Sequence, residues 1–111
     1  MNGILSLASN DNSVKSMNFD DDLEINIETW DGKDIAVVCR GCLKAALNGS
    51  PQFEIGEISF IKSSDFSDSW ELGFVSENSG CTDYSEMIIY DPWESEKILL
   101  RIIAEDFFIK Q

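Results

Sequence analysis

The run LEINIETWDGKDIAVVCRG, residues 23–41, constrains the fold of this chain more than any other stretch. Leu23, Ile25 and Ile27 alternate with Glu24, Asn26, Glu28 and Trp30, the period-two pattern of a strand with one face buried. Ile35, Val37 and Cys39 then alternate with Ala36, Val38 and Arg40. Between the two runs stands Asp31-Gly32, a pair that tolerates the positive φ of a type I′ hairpin turn. A hairpin of this kind needs further strands before its apolar face is covered.

Further segments supply them. SVKSMNF (13–19) alternates and places Met17 and Phe19 on its core side. CLKAALN (42–48) reads as strand continuation or as a helical turn. FEIGEISFI restarts the β pattern at Phe53, with Gly56 reading as a bulge at which the inward face switches. KSSDFSDS reads as a polar loop, WELGFVS as a strand, ENSGCTDYS as a turn-rich loop and EMIIYD as a strand. The end is two-sided. Asp91, Pro92 and Glu94 suit the N-cap, N1 and N3 positions of a helix. The ILLRIIAEDFFIK that follows is rich in β-branched and aromatic residues, and the favoured reading is a short loop, with a helical turn allowed, leading into a strand. Six or seven short strands separated by Gly, Asn, Asp and Ser turns predict a mainly β chain, an antiparallel sandwich or open barrel. Residues 1–12 are expected to be loosely ordered and 13–111 to form a single β-rich domain.

The chain has 111 residues, 43% of them hydrophobic, enough for one core. Its formal net charge is −13, from 21 acids against 8 bases. Nucleic acid and anionic membranes are recognised by basic surfaces, so neither is an expected partner. A cationic partner is. Histidine is absent, which removes the Ser-His-Asp and Cys-His catalytic arrangements and all His-ligated metal sites. No apolar run is long enough for a transmembrane helix. The N-terminal MNGILSLASNDNSVK has a short apolar run without a basic region before it, and the three cysteines are an odd number, so a reducing, cytoplasmic setting is expected.

Several motifs hint at chemistry and fall short of it. Cys39-Arg-Gly-Cys42 matches C-x-x-C, yet no strand–helix junction surrounds it, and only Cys81 remains as a further thiol ligand. The expected role of Cys39 is that of a small buried hydrophobe. Asp20, Asp21 and Asp22 lack the ligand order of an EF-hand loop. Neighbouring residues on a strand point to opposite faces, so no metal site is expected. Acid–base catalysis needs two carboxylates with unequal pKa values across a cleft. The sequence offers many acids and no means of choosing two. Neither an enzyme nor a cofactor is expected.

What remains is recognition. Residues 18–34 carry Asp20, Asp21, Asp22, Glu24, Glu28, Asp31 and Asp34 against Lys33 alone. Trp30 adjoins Asp31, Trp93 lies close to Asp91, Glu94 and Glu96, and Asp65 and Asp68 precede Trp70. Tryptophan beside carboxylate suits a surface that meets Arg and Lys by cation–π contact and ion pairing. The candidate partner-binding residues are therefore Asp20, Asp21, Asp22, Glu24, Glu28, Trp30, Asp31, Asp65, Asp68, Asp91, Trp93, Glu94 and Glu96. Trp70 is expected in the core.

The order SVKSMNFDDDLEINIETWDGKDIAVVCRGCLKA, then IGEIS, then MIIYDPWESEKILLRIIAEDFFI resembles small acidic immunity proteins of bacterial polymorphic-toxin and contact-dependent growth inhibition systems. The likeness covers most of residues 13–110 and rests on structural motifs: the L-x-I-x-I-E-x-W-D-G hairpin, a central I-G-x-I and a terminal L-x-I-x-A strand. It implies a cytoplasmic protein that neutralises one cognate basic toxin, a nuclease first among candidates, by covering its active or substrate-binding surface. The alternative is an acidic nucleic-acid mimic or anti-defence protein. Evenly spaced acids would favour mimicry, and the acids here are patchy.

Overall fold

The alternating runs become two antiparallel sheets in the computed structural model, which describes residues 2–8, 11–77 and 84–110. The strands are β1 (Ser13–Phe19), β2 (Leu23–Glu28), β3 (Asp34–Arg40), β4 (Lys44–Leu47), β5 (Phe53–Glu54), β6 (Ile58–Lys62), β7 (Ser85–Tyr90), β8 (Ile98–Ala104) and β9 (Asp106–Lys110). The first sheet has the order β5-β1-β2-β3-β9 and the second β4-β8-β7-β6. Two helices accompany them, α1 (Asn2–Leu5) and α2 (Ser69–Glu77). The chain is thus a mainly β sandwich. No helix among the described residues is long and apolar enough to cross a membrane.

The inward face expected for residues 23–39 is the one observed, although Val38, expected on the opposite face, is buried as well. Leu23 pairs with Cys39, Ile25 with Val37 and Ile27 with Ile35, and all but the half-buried Ile35 are buried in the main core. From the second sheet Ile58, Met87, Ile89, Leu100, Ile102 and Ala104 join the same core. Phe60 and Phe107 meet edge to face across the sandwich, with ring centres 5.4 Å apart, a favoured aromatic geometry.

There are nine strands rather than six or seven because three long β runs bend and change sheets. The first bend separates β3 from β4 at Gly41. The second separates β8 from β9 at Glu105. Both lie at one corner, where Glu105 N donates to Arg40 O (3.0 Å) and Leu43 N to Ile103 O (3.0 Å). The ladder therefore runs nearly unbroken from one sheet into the other. The third bend, at residues 55–57, separates β5 from β6. There Gly56 N donates to Tyr90 O (2.9 Å) and Tyr90 N to Glu57 O (2.8 Å). Strands that switch sheets are the usual means of turning corners in packed β-layers.

Glycine is required at two of these bends. Gly41 has φ +64°, and a Cβ there would meet the Glu105 side chain at 2.7 Å. At Gly56 a Cβ would lie 2.6 Å from the Tyr90 carbonyl oxygen and the Asp91 carbonyl carbon, both backbone atoms. The face switch expected at Gly56 is present: Ile55 and Ile58 both point into the main core. It arises from a corner between sheets and not from a bulge within a strand.

Five expectations need correction. Residues 2–8 and 11–12 do not lie loosely, since α1 and the turn after it bury Ile4 and Leu7 in the main core. The β1 register shifts between Val14 and Ser16, which puts Val14 and Met17 on the inner side and leaves Phe19 69% exposed. Asp31-Gly32 does not form a two-residue type I′ turn. Gly32 has φ +81°, whereas Asp31 is not among the described residues with positive φ. Gly32 N donates to Thr29 O (2.9 Å) and Thr29 N to Lys33 O (2.8 Å), a three-residue loop closed by a left-handed glycine.

WELGFVS is helical, not extended. Asp68 Oδ1 accepts from Glu71 N (2.8 Å), and Glu71 Oε1 accepts from Asp68 N (3.3 Å) and Ser67 N (2.9 Å). This reciprocal capping box starts a helix and outweighs the strand-like composition. The 63–68 loop is not wholly polar in its packing either, because Phe66 is buried with Phe74 and Ile103 in a second, smaller core on the outer face of the second sheet. The C-terminal run is β, as favoured, and residues 91–97 form a non-helical loop. Cys81 and residues 78–80, 82 and 83 of the expected turn-rich loop lie outside the described residues.

Replacing Gly56 by alanine forces a methyl group onto fixed backbone, and the expected cost is about 3 kcal/mol or more. Gly32→Ala meets no atom within 4 Å and costs only its left-handed strain, about 1 kcal/mol. Urea unfolding of the two variants tests this order, and equal midpoints would contradict the corner geometry.

Candidate functional site

Asn12 organises one end of the sandwich. It is buried, and all three of its useful polar groups are engaged. Its Nδ2 donates to Leu7 O (2.9 Å), its Oδ1 accepts from Trp30 N (2.9 Å), and its main-chain oxygen accepts from Ile55 N (2.9 Å). One residue thus ties the turn after α1, the β2–β3 loop and the β5–β6 bend together, the first two by its side chain and the third by its backbone. A buried amide in this position is costly unless satisfied, which is why it fixes geometry.

The same end carries the β7–β8 loop, residues 91–97. Asp91 Oδ1 accepts from Trp93 N (2.8 Å) and Glu94 N (2.9 Å), and Asp91 N donates to Lys97 O (2.9 Å). This is the N-cap chemistry expected of Asp91, used here to close a loop instead of starting a helix. Trp93 is held at its backbone while its indole is 77% exposed. Trp30 is 73% exposed at the neighbouring β2–β3 loop. They are the two most exposed large hydrophobic side chains among the described residues.

Beside the β7–β8 loop lies a cavity of about 350 Å³, lined by Asp11, Glu54, Ile55, Gly56, Glu57, Asp91, Pro92, Trp93 and Ser95. Four carboxylates and no base line it. Trp30 lines a separate cavity of about 290 Å³ with Asn12, Asp31 and Lys33, and Asn12 links it to Asp11 at the acidic one. Asp31 and Asp91 stay ionised well into acid. The Asp31 carboxylate is held below its usual range by the Thr29 hydroxyl, with Lys33 adding to the effect, and Asp91 by the backbone N–H groups of Glu94 and Trp93.

The residues expected at a partner surface do not all gather here. Glu28, Trp30, Asp31, Asp91, Trp93, Glu94 and Glu96 belong to this end of the molecule. Asp20, Asp21 and Asp22 lie in the β1–β2 turn at the opposite end of β2, about 20 Å away for a six-residue strand. There Asp22 Oδ1 accepts from Gly41 N (3.3 Å) and braces the corner. Glu24 lies on the outer face of the first sheet and pairs with Lys110 (3.2 Å), as Glu28 does with Lys15 (3.5 Å). Asp65 is exposed in the 3₁₀ turn Ser63–Asp65. Asp68 is committed to capping α2 and to an ion pair with Arg101 (2.6 Å).

Asp11, Glu54 and Glu57 line the cavity and were not singled out in the sequence. Their signal was present: Glu54 and Glu57 flank Gly56, the residue at which the inward face switches.

A second group of polar residues lies beneath α2. Glu86 is 0% exposed and Glu71 2%, and the two carboxyls hydrogen-bond to each other. Arg101 spans them, with Nε 2.9 Å from Glu86 Oε2 and Nη2 3.2 Å from Glu71 Oε2. Its guanidinium lies 4.6 Å from the Trp70 ring centre, and Lys44 Nζ 4.4 Å from the same ring. Trp70 is half-buried against the second core. Burial, and next the hydrogen bond with Glu71, push the Glu86 carboxyl up to about 8, with Arg101 pulling the other way. For Glu71, burial is outweighed by its bonds from Glu86, Ser67 N and Asp68 N, and its carboxyl is held low.

Cys39 is fully buried and burial raises its thiol to about 12, while burial also raises Cys42. Such thiols are poor nucleophiles. Among the described residues no three His, Cys, Asp or Glu side chains come together as a metal-holding group. Comparison with protein-family models, with curated proteins and with solved structures finds no significant match for this chain.

Asn12→Ala leaves Trp30 N and Leu7 O without their partner. The expected loss is about 2 kcal/mol of unfolding free energy, read by chemical denaturation. A change under about 0.5 kcal/mol, the range of ordinary surface substitutions, would show that Asn12 does not hold this end together.

Proposed function

We propose that this chain is a binding protein of the immunity type, which captures a cationic protein toxin, a nuclease first among candidates, and covers the toxin's active or substrate-binding surface. The observation that carries the reading is the end of the sandwich organised by Asn12, where the exposed Trp93 lines a cavity with four carboxylates and no base, and the exposed Trp30 stands on a loop tied to the same asparagine. An exposed indole held at its backbone is a costly feature for a protein without a partner. A cavity of this lining accepts a lysine or arginine side chain, with Trp93 offering its ring face and Asp11, Glu54, Glu57 and Asp91 the counter-charge. The net charge of −13 adds long-range attraction, which raises the association rate. The resemblance of residues 13–110 to acidic immunity proteins supports the same reading.

Two levels of test follow. The chain is expected to co-purify with the product of the adjacent upstream gene. If that product is not a toxin and no basic protein is recovered at low salt, the reading fails. With a partner in hand, Trp30→Ala and Trp93→Ala are each expected to weaken binding by about thirtyfold, mainly through faster dissociation. Glu54→Gln combined with Glu57→Gln is expected to slow association and flatten its salt dependence. Surface plasmon resonance across a salt series measures both. Unchanged dissociation in the two tryptophan variants would move the interface elsewhere.

A further inference from the structure

We propose that the packing of α2 on the second sheet is a proton-dependent latch, closed by one hydrogen shared between Glu71 and Glu86 and loosened when that hydrogen is lost. The proposal rests on the arrangement of charges under the helix. From α2 and its cap come Asp68 and Glu71, from β7 Glu86, from β8 Arg101 and from β4 Lys44. From β6 the packed side chain is Ile61. Lys44 Nζ is spent on the Trp70 carbonyl (2.7 Å) and ring. Arg101 is then the one guanidinium within ion-pair distance of three carboxylates, at 2.6 Å from Asp68, 3.2 Å from Glu71 and 2.9 Å from Glu86.

Asp68 is half-exposed and solvated, so its charge is tolerated. Glu71 and Glu86 are buried against each other, and two adjacent buried carboxylates cannot both be ionised beside a single cation. A proton on one of them turns repulsion into a hydrogen bond. Glu71 receives two backbone N–H donors and Glu86 two guanidinium N–H donors from Arg101, and the proton is assigned to Glu86, the more completely buried of the two and the one whose carboxyl burial holds up.

The direction of the pH effect follows from linkage. With α2 lifted, Glu86 is hydrated and ionises in its ordinary range near 4.5. With α2 closed, it keeps its proton to about 8. The closed state binds one more proton across that window, so closure weakens as pH rises. The opening constant increases about tenfold per pH unit between these limits and levels off above them. Opening uncovers Phe74, Phe66 and Ile103.

Native-state hydrogen exchange on the α2 amides tests this. After correction for the intrinsic pH dependence of exchange, protection in the unaltered chain is expected to fall about tenfold per pH unit from pH 5 to 8 and then to flatten. Glu86→Gln keeps a hydrogen donor toward Glu71 and removes the titration, so its protection should be level over the same range. An unaltered chain with level protection, or a variant with the same slope, overturns the proposal. Should Glu86→Gln fail to fold, carbon-13 titration of the glutamate carboxyls in the unaltered chain decides. One glutamate titrating close to pH 8 supports the latch, and all of them titrating below pH 6 refutes it.

Discussion

The structure depends on one constraint, that its long strands must leave one sheet and enter the other. Here the β3–β4 and β8–β9 runs bend together, so their shared ladder becomes the hinge between the layers. The corner works because Gly41 adopts a left-handed conformation and its amide is held by Asp22. On the other side the β5–β6 run makes the same passage at Gly56, tight against the Tyr90 and Asp91 backbone. These two corners fix where every loop emerges. The Trp30 and Trp93 loops come out beside the Gly56 corner, and the Asp20–Asp22 turn beside the Gly41 corner.

Where side-chain alternation reported burial, the fold could be read in advance. Leu23, Ile25 and Ile27 were legible because β2 has a wet and a dry face, and Val37 and Cys39 because they pair with it, although Val38 between them is buried too. The change of inward face at Gly56 was legible for the same reason. Alternation fails where both faces are covered. Met87, Ile88 and Ile89 are all buried, so β7 gives no period. It also fails where a bulge resets the register, as between Val14 and Ser16. The helix α2 was misread because its short sequence mixes Trp, Phe and Val, and the decisive signal was Asp68 and Glu71 three residues apart. A capping pair of this kind carries more information about nine residues than their composition does.

The candidate site was partly legible. The tryptophans and their neighbouring acids were visible as types, but their grouping was not, because the run of seven acids in residues 18–34 spans both ends of a strand. Adjacency in sequence at the Asp20–Asp22 turn does not bring those acids to Trp30. The buried polar group under α2 left a trace as well: Glu86 and Arg101 each stand as a lone charge in an otherwise apolar strand. Two such isolated opposite charges on strands that pair at Ile88–Arg101 and Glu86–Ile103 have few places to go except toward each other.

The distribution of the eight bases separates structural acids from those left for recognition. Lys15, Lys110 and Arg40 lie on the outer face of the first sheet; Lys15 and Arg40 each meet an acid of the neighbouring strand, Glu28 and Asp106, and Lys110 reaches across β3 to Glu24. Arg101 and Lys44 serve the group under α2. These pairs knit strands and helix together and nearly cancel the charge of the faces they occupy. Exposed ion pairs add little stability, but they prevent like charges from crowding a flat sheet. The uncompensated charge is thereby concentrated at the loop ends, where Asp11, Glu54, Glu57, Asp91, Glu94 and Glu96 meet only Lys33 and Lys97. With a proton on Glu86, as proposed, the formal −13 becomes −12 at neutral pH, and the charge removed is an internal one. The negative field reaching solvent comes from the ends of the sandwich. At the tryptophan end it coincides with exposed aromatic surface, the combination that draws in a basic side chain and then holds it.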